Sequence, residues 1–366
     1  GSAVTLSSDG TSLLLDGTAV GGSPDLYAEN PSSPTAPSAT GNNSVAIGSG
    51  AVASGASSVS IGQGADATAD QALAFGLNSQ ATAVKSLAFF GDAGSTYSTA
   101  IGYNSSNQQA KTRTGAGAMA LGGSYASGVD SFAAAIANNT SSYGATGANS
   151  VVIGRLSKAS GADSFAIGDN NIAGNGDAFA LGNTNNVTGG GTAFAIGANH
   201  TVSGTLAACI GGSTSTATQT YAMTFGPYAK AAVQNAFIFG SKGWFSAGSA
   251  QGGMYILYAD TTDATAEALT TTNSTAGSTN QIVAASDTCI MFSGTIVAMQ
   301  NGAADQGGWE IRGLLKNDGG TTTLVNSEVK TFADGNGWSI VLSADNTNNA
   351  LKVQCTGEAS HNIRWV

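Results

Sequence analysis

The phrase "NSVAIG", closing on Gly48, returns along the chain as "SVSIG", "NSVVIG", "DSFAIG", "DAFALG" and "AFAIG". Aligned on the last residue, the copies end at Gly48, Gly62, Gly76, Phe90 in the glycine slot, Gly102, Gly122, an imperfect copy near Ala135 to Ala137, and then Gly154, Gly168, Gly182, Gly197, Gly211, Gly226 and Gly240. Outside the irregular stretch from 90 to 154 the step is 14 or 15 residues. Self-similarity at a fixed period marks a solenoid, and this period is too short for a helix pair or a propeller blade. It fits two short strands and two turns per coil, with neighbouring coils pairing in parallel about 4.8 Å apart.

Alternation along the phrase sorts its side chains onto two faces. Val45, Val59, Leu73, Val151, Phe165, Phe179, Phe194 and Phe237 share one face with Ile47, Ile61, Phe75, Ile153, Ile167, Leu181, Ile196 and Phe239. Their size assigns that face to the coil interior. The residue between them is small, as at Ala46, Ser60, Ala74, Ala100, Ala120, Ala166, Ala180 and Ala195, which implies that another copy of the chain crowds the opposite face. A coil this thin buries little apolar surface against a backbone ordering cost of about 1–2 kcal/mol per residue, so association is expected to supply the rest.

Composition narrows the partners. Charged residues are only 9% of the chain, and 12 basic against 22 acidic residues leave a net charge of −10. No basic stretch stands out, which argues against nucleic acid or an anionic membrane surface as partner. No apolar run approaches the ~20 residues of a membrane-spanning helix. Cys209, Cys289 and Cys355 are far apart, and buried free thiols are the simplest reading.

The chain changes character twice. "AVTLSSDGTSLLLDG" places Asp9-Gly10 between two short alternating runs, so residues 1–20 read as a small β element with a hairpin. Four of the five prolines fall at 21–40, a semi-extended linker. Residues 41–240 hold the repeat with one proline and no tryptophan or glutamate, and every tryptophan follows it. A connector at 241–253 then leads into 254–366. There, alternation predicts strands at Met254–Tyr258, Thr288–Gln300, Trp309–Leu315, Thr321–Thr331, Trp338–Ser343, Ala350–Cys355 and Asn362–Val366, an antiparallel sandwich or jelly-roll-like domain. The predicted class is all-β.

"NSVAIG", "NSVVIG", "DSFAIG" and "DAFALG" at this step resemble the YadA-like head repeats of trimeric autotransporter adhesins. The resemblance implies a left-handed parallel β-roll and a homotrimer. The coiled-coil stalk and membrane barrel usual in that family are not visible. Instead "FSGTIVAMQ", "GGWEIRGLLK" and the run ending at Val366 are similar to the β-rich terminal domain of bacteriophage tail-fibre proteins. That similarity implies a virion appendage with a host cell-surface receptor, glycan or protein, at its tip and other virion proteins at its N-terminal region. The alternatives are a fragment of a bacterial surface adhesin, or a head fibre acting as spacer.

Chemistry-bearing residues are sparse. Asp163 and Asp177 share one phase on adjacent coils, at a separation of ~5 Å that would suit a retaining glycosidase pair. Asn43, Asn149 and Asn235 fill the same phase, and Asn and Asp both bond turn backbone, so a turn ladder explains the carboxylates without catalysis. His200 and His361 lack metal-ligand spacing and read as surface histidines. The glycine-rich pieces miss the dinucleotide pattern. The expectation is no enzyme, no cofactor and no metal. Asn336 and Trp338, at the loop "DGNG", are the candidate receptor contacts, since an exposed aromatic beside polar turns binds sugars and protein surfaces. The competing reading packs Trp338 in the sandwich core.

Overall fold

A computed structural model of the chain describes residues 33–104, 106–134, 142–242, 246–334 and 337–366, and the strands Leu6–Ser8, Leu13–Leu15 and Thr18–Ala19 near the N-terminus. Those three strands pair antiparallel in sequence order. Residues 21–32 of the linker expected at 21–40 and the imperfect repeat at 135–137 lie outside the described residues, and Ser38–Ala39 at the end of that stretch already pairs with Val52–Ala53. The chain divides into two compact units, Gly1–Ser141 and Ser142–Val366, a division that falls within the repeat rather than at its end.

The described residues are all-β. Each unit carries seven coils, and each coil contributes one long and one short strand. In the first unit the long strands run from Val45–Ile47 to Phe132–Ala134 and the short ones from Ser38–Ala39 to Tyr125–Ala126. In the second they run from Val151–Ile153 to Phe237–Gly240 and from Gly144–Ala145 to Lys230–Ala231. Within each unit the strands pair in parallel with their counterparts one coil on, as in Val45↔Val59↔Leu73 and Phe165↔Phe179↔Phe194. The sequence period is therefore the inter-coil register itself.

Two turns close each coil, and each needs a residue in the left-handed region two places before a strand. Ser57, Gln71, Lys85, Tyr97, Asp163 and Asp177 fill one such position, with φ between 55 and 60°. The irregular stretch keeps the register and changes only its turns. Leu87 pairs with Thr99 because Phe90-Gly91 alone joins the strands Leu87–Phe89 and Asp92–Ala93. Thr99 pairs with Met119 because Gly102–Ala110 bulges out and returns through a Tyr103↔Gln109 bridge.

The interior is the reverse of the size-based assignment. Ser60, Ala74, Ala100, Ala120, Ala166, Ala180 and Ala195, the middle residues of the long strands, are fully buried. Facing them are Ala53, Ala67, Ala81 and Ala159 from the short strands, also fully buried. The narrow interior takes alanine at most positions and a single Val or Ile at some, as at Val152, Val187, Val202 and Ile238, while the large residues that flank the middle position of the long strands point out of the coil.

In the second unit one interior position becomes a polar spine. The backbone N–H of Asn171 donates to Ser157 Oγ (3.1 Å), that of Asn185 to Asn171 Oδ1 (3.0 Å), that of His200 to Asn185 Oδ1 (3.1 Å), that of Ser215 to His200 Nδ1 (3.2 Å) and that of Ala229 to Ser215 Oγ (3.2 Å). The amides of Asn171 and Asn185 donate in turn to the carbonyls of Ile167, Gly182, Leu181 and Gly197. Each side chain thus satisfies turn groups that the thin coil leaves without a ladder partner. His200 is therefore fully buried, not on the surface. Because Nδ1 accepts, the proton of its neutral ring sits on Nε2. Burial holds the ring below its ordinary pKa.

The last coil is closed off. Gln251–Met254 runs antiparallel along Phe237–Gly240. The Gln251 side chain accepts from the Lys230 N–H (2.8 Å) and donates to the Lys230 carbonyl (3.2 Å), as a further strand would. The strand covers one exposed ladder and the Gln251 side chain bonds Lys230 on the other, where open ladders otherwise invite other chains. The strand expected at Met254–Tyr258 consequently ends at Met254 and belongs to the repeat.

Beyond it the chain forms two antiparallel sheets. One has the order Ala259–Thr261, Ile363–Trp365, Thr288–Gln300, Gln306–Asp318, Thr321–Asp334. In the other, Ala350–Thr356 is flanked by Ala266–Ala268, Ile282–Val283 and Ser339–Asp345. Ile296, Trp309, Ile311, Leu315 and Trp365 from the first pack against Ile340, Leu351, Val353 and Cys355 from the second, the sandwich expected from alternation.

Two outcomes test this account. In Gly161→Ala the new methyl carbon would stand 1.8 Å from the Asn175 carbonyl oxygen one coil away, whereas at Gly252 nothing lies within 4 Å. Thermal melting is expected to show a loss of about 3 kcal/mol for Gly161→Ala and almost none for Gly252→Ala. Because the pKa of His200 is lowered in the fold, the stability tied to it is whole above the unfolded value near 6.5 and is lost as the pH falls toward and through the folded one. His200→Asn, which repeats the residue of the two preceding coils, is expected to fold and to flatten that acid-side loss in a series of melts against pH.

Candidate interaction surface

The two outer faces of a coil differ in kind. Outward on the short strands stand Asp66, Gln80, Lys111, Lys158, Asn186, Thr201, Thr216 and Lys230, a mostly polar face in which Val52, Tyr125 and Ile172 are the apolar members. Outward on the long strands stand the apolar residues of the repeated phrase. Val45, Phe89, Ile101, Ile153, Phe165, Ile196 and Phe239 are each more than a third exposed, and the rest are partly so. Neighbouring coils stack these side chains into ladders. Phe165 and Phe179 lie 6.3 Å apart, Phe75 and Phe89 6.3 Å apart, and Phe225 and Phe239 5.6 Å apart with nearly parallel rings. Such a stripe, repeated coil after coil, exceeds the isolated apolar residues normal on a monomer. Sequence reasoning found these residues and placed them on the wrong side. The signal that could have corrected it is the alanine at both inner walls, 53, 67 and 81 as well as 74, 100 and 120.

Of the two expected receptor contacts, only Trp338 falls among the described residues. Asn336 lies outside them. Trp338 is buried, 3% exposed, with its ring 5.7 Å from that of Trp365, which stacks in turn on Trp309 at 5.4 Å. The structure thus puts Trp338 in the core, because it enters the strand Ser339–Asp345 facing the opposite sheet, and not at an exposed tip.

Asp163 and Asp177 occupy the left-handed turn position with φ of 55 and 56°. Both are exposed, and Asp163 Oδ1 accepts from Asn149 Nδ2 of the preceding coil at 2.9 Å. Their geometry is that of the turn ladder. His361 is a surface residue, 3.0 Å from the Glu358 carboxylate. No three metal-ligating side chains converge among the described residues. Cys209 and Cys355 are buried, and burial pushes their thiols up to about 11 and about 12. Cys289 departs from the expectation of a buried thiol and is exposed.

No helix among the described residues is long and apolar enough to cross a membrane. No curated protein matches the chain. Residues 39–65, 67–89 and 145–171 match the YadA head domain repeat, and these segments coincide with successive coils of both units. The coils at those residues are similar to the YadA head domain repeat.

Proposed function

We propose that the chain is one protomer of a homotrimeric adhesin-like fibre, in which the repeats are the structural part and the terminal sandwich is the part that meets a host cell. The observation that carries the trimer is the apolar stripe on the long strands. The narrow interior is filled by the middle residues, Val152, Ala166 and Ile238 in these coils, which leaves Ile153, Phe165 and Phe239 exposed for another chain to cover. Three copies sharing one axis cover three such stripes and leave three polar faces in water. The YadA head repeat, the head of trimeric adhesins, supports the same arrangement and an extracellular setting.

Within that class we favour a virion appendage, because the terminal domain is similar to those that follow such repeats in phage tail fibres. The host receptor would engage the terminal domain, and other virion proteins the N-terminal region. The match to adhesin head repeats favours, as the second reading, a bacterial surface adhesin built from the same coils. Both readings are non-enzymatic. The turn geometry of Asp163 and Asp177 supports this, and release of reducing sugar from host polysaccharide, abolished in Asp163→Asn, would overturn it.

Light scattering on the purified full chain is expected to give three times the chain mass, and a monomer would end the trimeric reading. The full chain is expected to bind susceptible cells and to slow adsorption of the phage that encodes it. Adjacent tail or capsid genes would agree with the virion reading, whereas a downstream barrel-encoding segment favours the cell-surface one.

A further inference from the structure

The strand Thr288–Gln300 pairs with Gln306–Asp318 along one whole side. On its other side only the last residues are covered, Ala298–Gln300 by Ile363–Trp365 and Val297 by two backbone bonds with Val366. Residues 288–296 therefore present an open strand edge among the described residues. Beside it lies a groove of about 1090 Å³ of mixed lining, with Met254, Ile256, Ile290, Met291, Phe292 and Val366 as its apolar part and Lys230, Ser286 and Asp287 among its polar residues. Met291 is 86% exposed, and Ile256 58%. An open edge next to a partly apolar groove is the arrangement that accepts an added strand or an apolar face.

We propose that a second copy of this chain fills this edge and groove, so that the subunit contact continues from the repeats into the terminal domain. The proposal rests on the trimeric reading above. Continuity identifies the occupant. Met254 pairs in register with Phe237, the first residue of the final long strand, and Phe239 on that strand is 54% exposed. The apolar stripe thus passes from Phe237 and Phe239 to Met254 and Ile256 at the groove without a polar break. Whatever chain covers the stripe arrives at the groove already tethered, at an effective concentration on the order of millimolar. No separate partner has that advantage.

Met291 makes the test sharp, because a side chain this exposed in the single chain can become aspartate without disturbing the protomer. If a second copy buries it, the charge is trapped in an apolar contact. The experiment compares the full chain with Met291→Asp and with Val325→Asp, a control 51% exposed on the outer strand Thr321–Asp334. Light scattering gives the mass, and thermal melting the stability. Labelling of Cys289, two residues from Met291 on the same face and the one exposed thiol of the three, reports cover directly. The expected result is a trimer whose melting falls by at least about 5 °C in Met291→Asp and hardly moves in Val325→Asp. Labelling of Cys289 by a bulky maleimide is expected to be roughly tenfold or more slower in the trimer than in urea. A trimer in which Met291→Asp melts unchanged and Cys289 labels as in urea overturns this proposal alone. A monomeric wild-type chain overturns it together with the trimeric reading.

Discussion

The two walls of a coil lie so close that alanine from one mostly meets alanine from the other, with Val or Ile admitted at Val152, Val187, Val202 and Ile238, and that closeness sends the flanking large side chains outward. Ala74 and Ala81, or Ala166 and Ala173, fill the interior completely. Backbone pairing between coils then carries most of the order, since methyl groups offer little apolar area to bury. The aliphatic and aromatic residues of the phrase are expelled to one outer face and the charged ones to the other. An amphipathic coil results whose apolar side is a surface and not a core.

The same narrowness explains the polar spine. A turn wound this tightly turns some of its N–H and carbonyl groups inward, away from water and out of reach of either ladder. Ser157, Asn171, Asn185, His200 and Ser215 supply the missing partners from one coil to the next. Histidine at 200 is the acceptor of the set whose chemistry depends on pH, because a proton on Nδ1 removes the lone pair that Ser215 uses. Gly197 makes room for its ring, since a Cβ there would stand 2.4 Å from Nε2.

Much of this architecture is readable in the sequence because both periods involved are local. The 14-residue step gave the coils, and alternation gave Thr288–Gln300 to the residue and most other strands of the sandwich within a few. What was not readable is what depends on distance through space. Alternation separates two faces without saying which is inside, and the width of the coil is settled only when both strands are set side by side. His200 has no neighbour in sequence that betrays it, although counting back 15 residues, and then 14 more, lands on Asn185 and Asn171. Trp338 follows a polar turn and looks exposed, yet its strand faces Trp365, 27 residues further on. The short strands at 259–261, 266–268 and 282–283 are too brief to show alternation at all.

The closure at Gln251 has a consequence for how such a chain changes in evolution. Within a unit each coil touches the one before and the one after, and only the last coil of the second unit must fit the antiparallel strand and the Gln251 amide. Duplication or loss of one whole repeat leaves every interior position, every turn and the closure itself in phase. The number of coils then works as a ruler graduated in steps of about 4.8 Å. Reach is free to drift in whole graduations under selection, while a gain or loss of part of a repeat throws alanine walls and apolar stripe out of step at once.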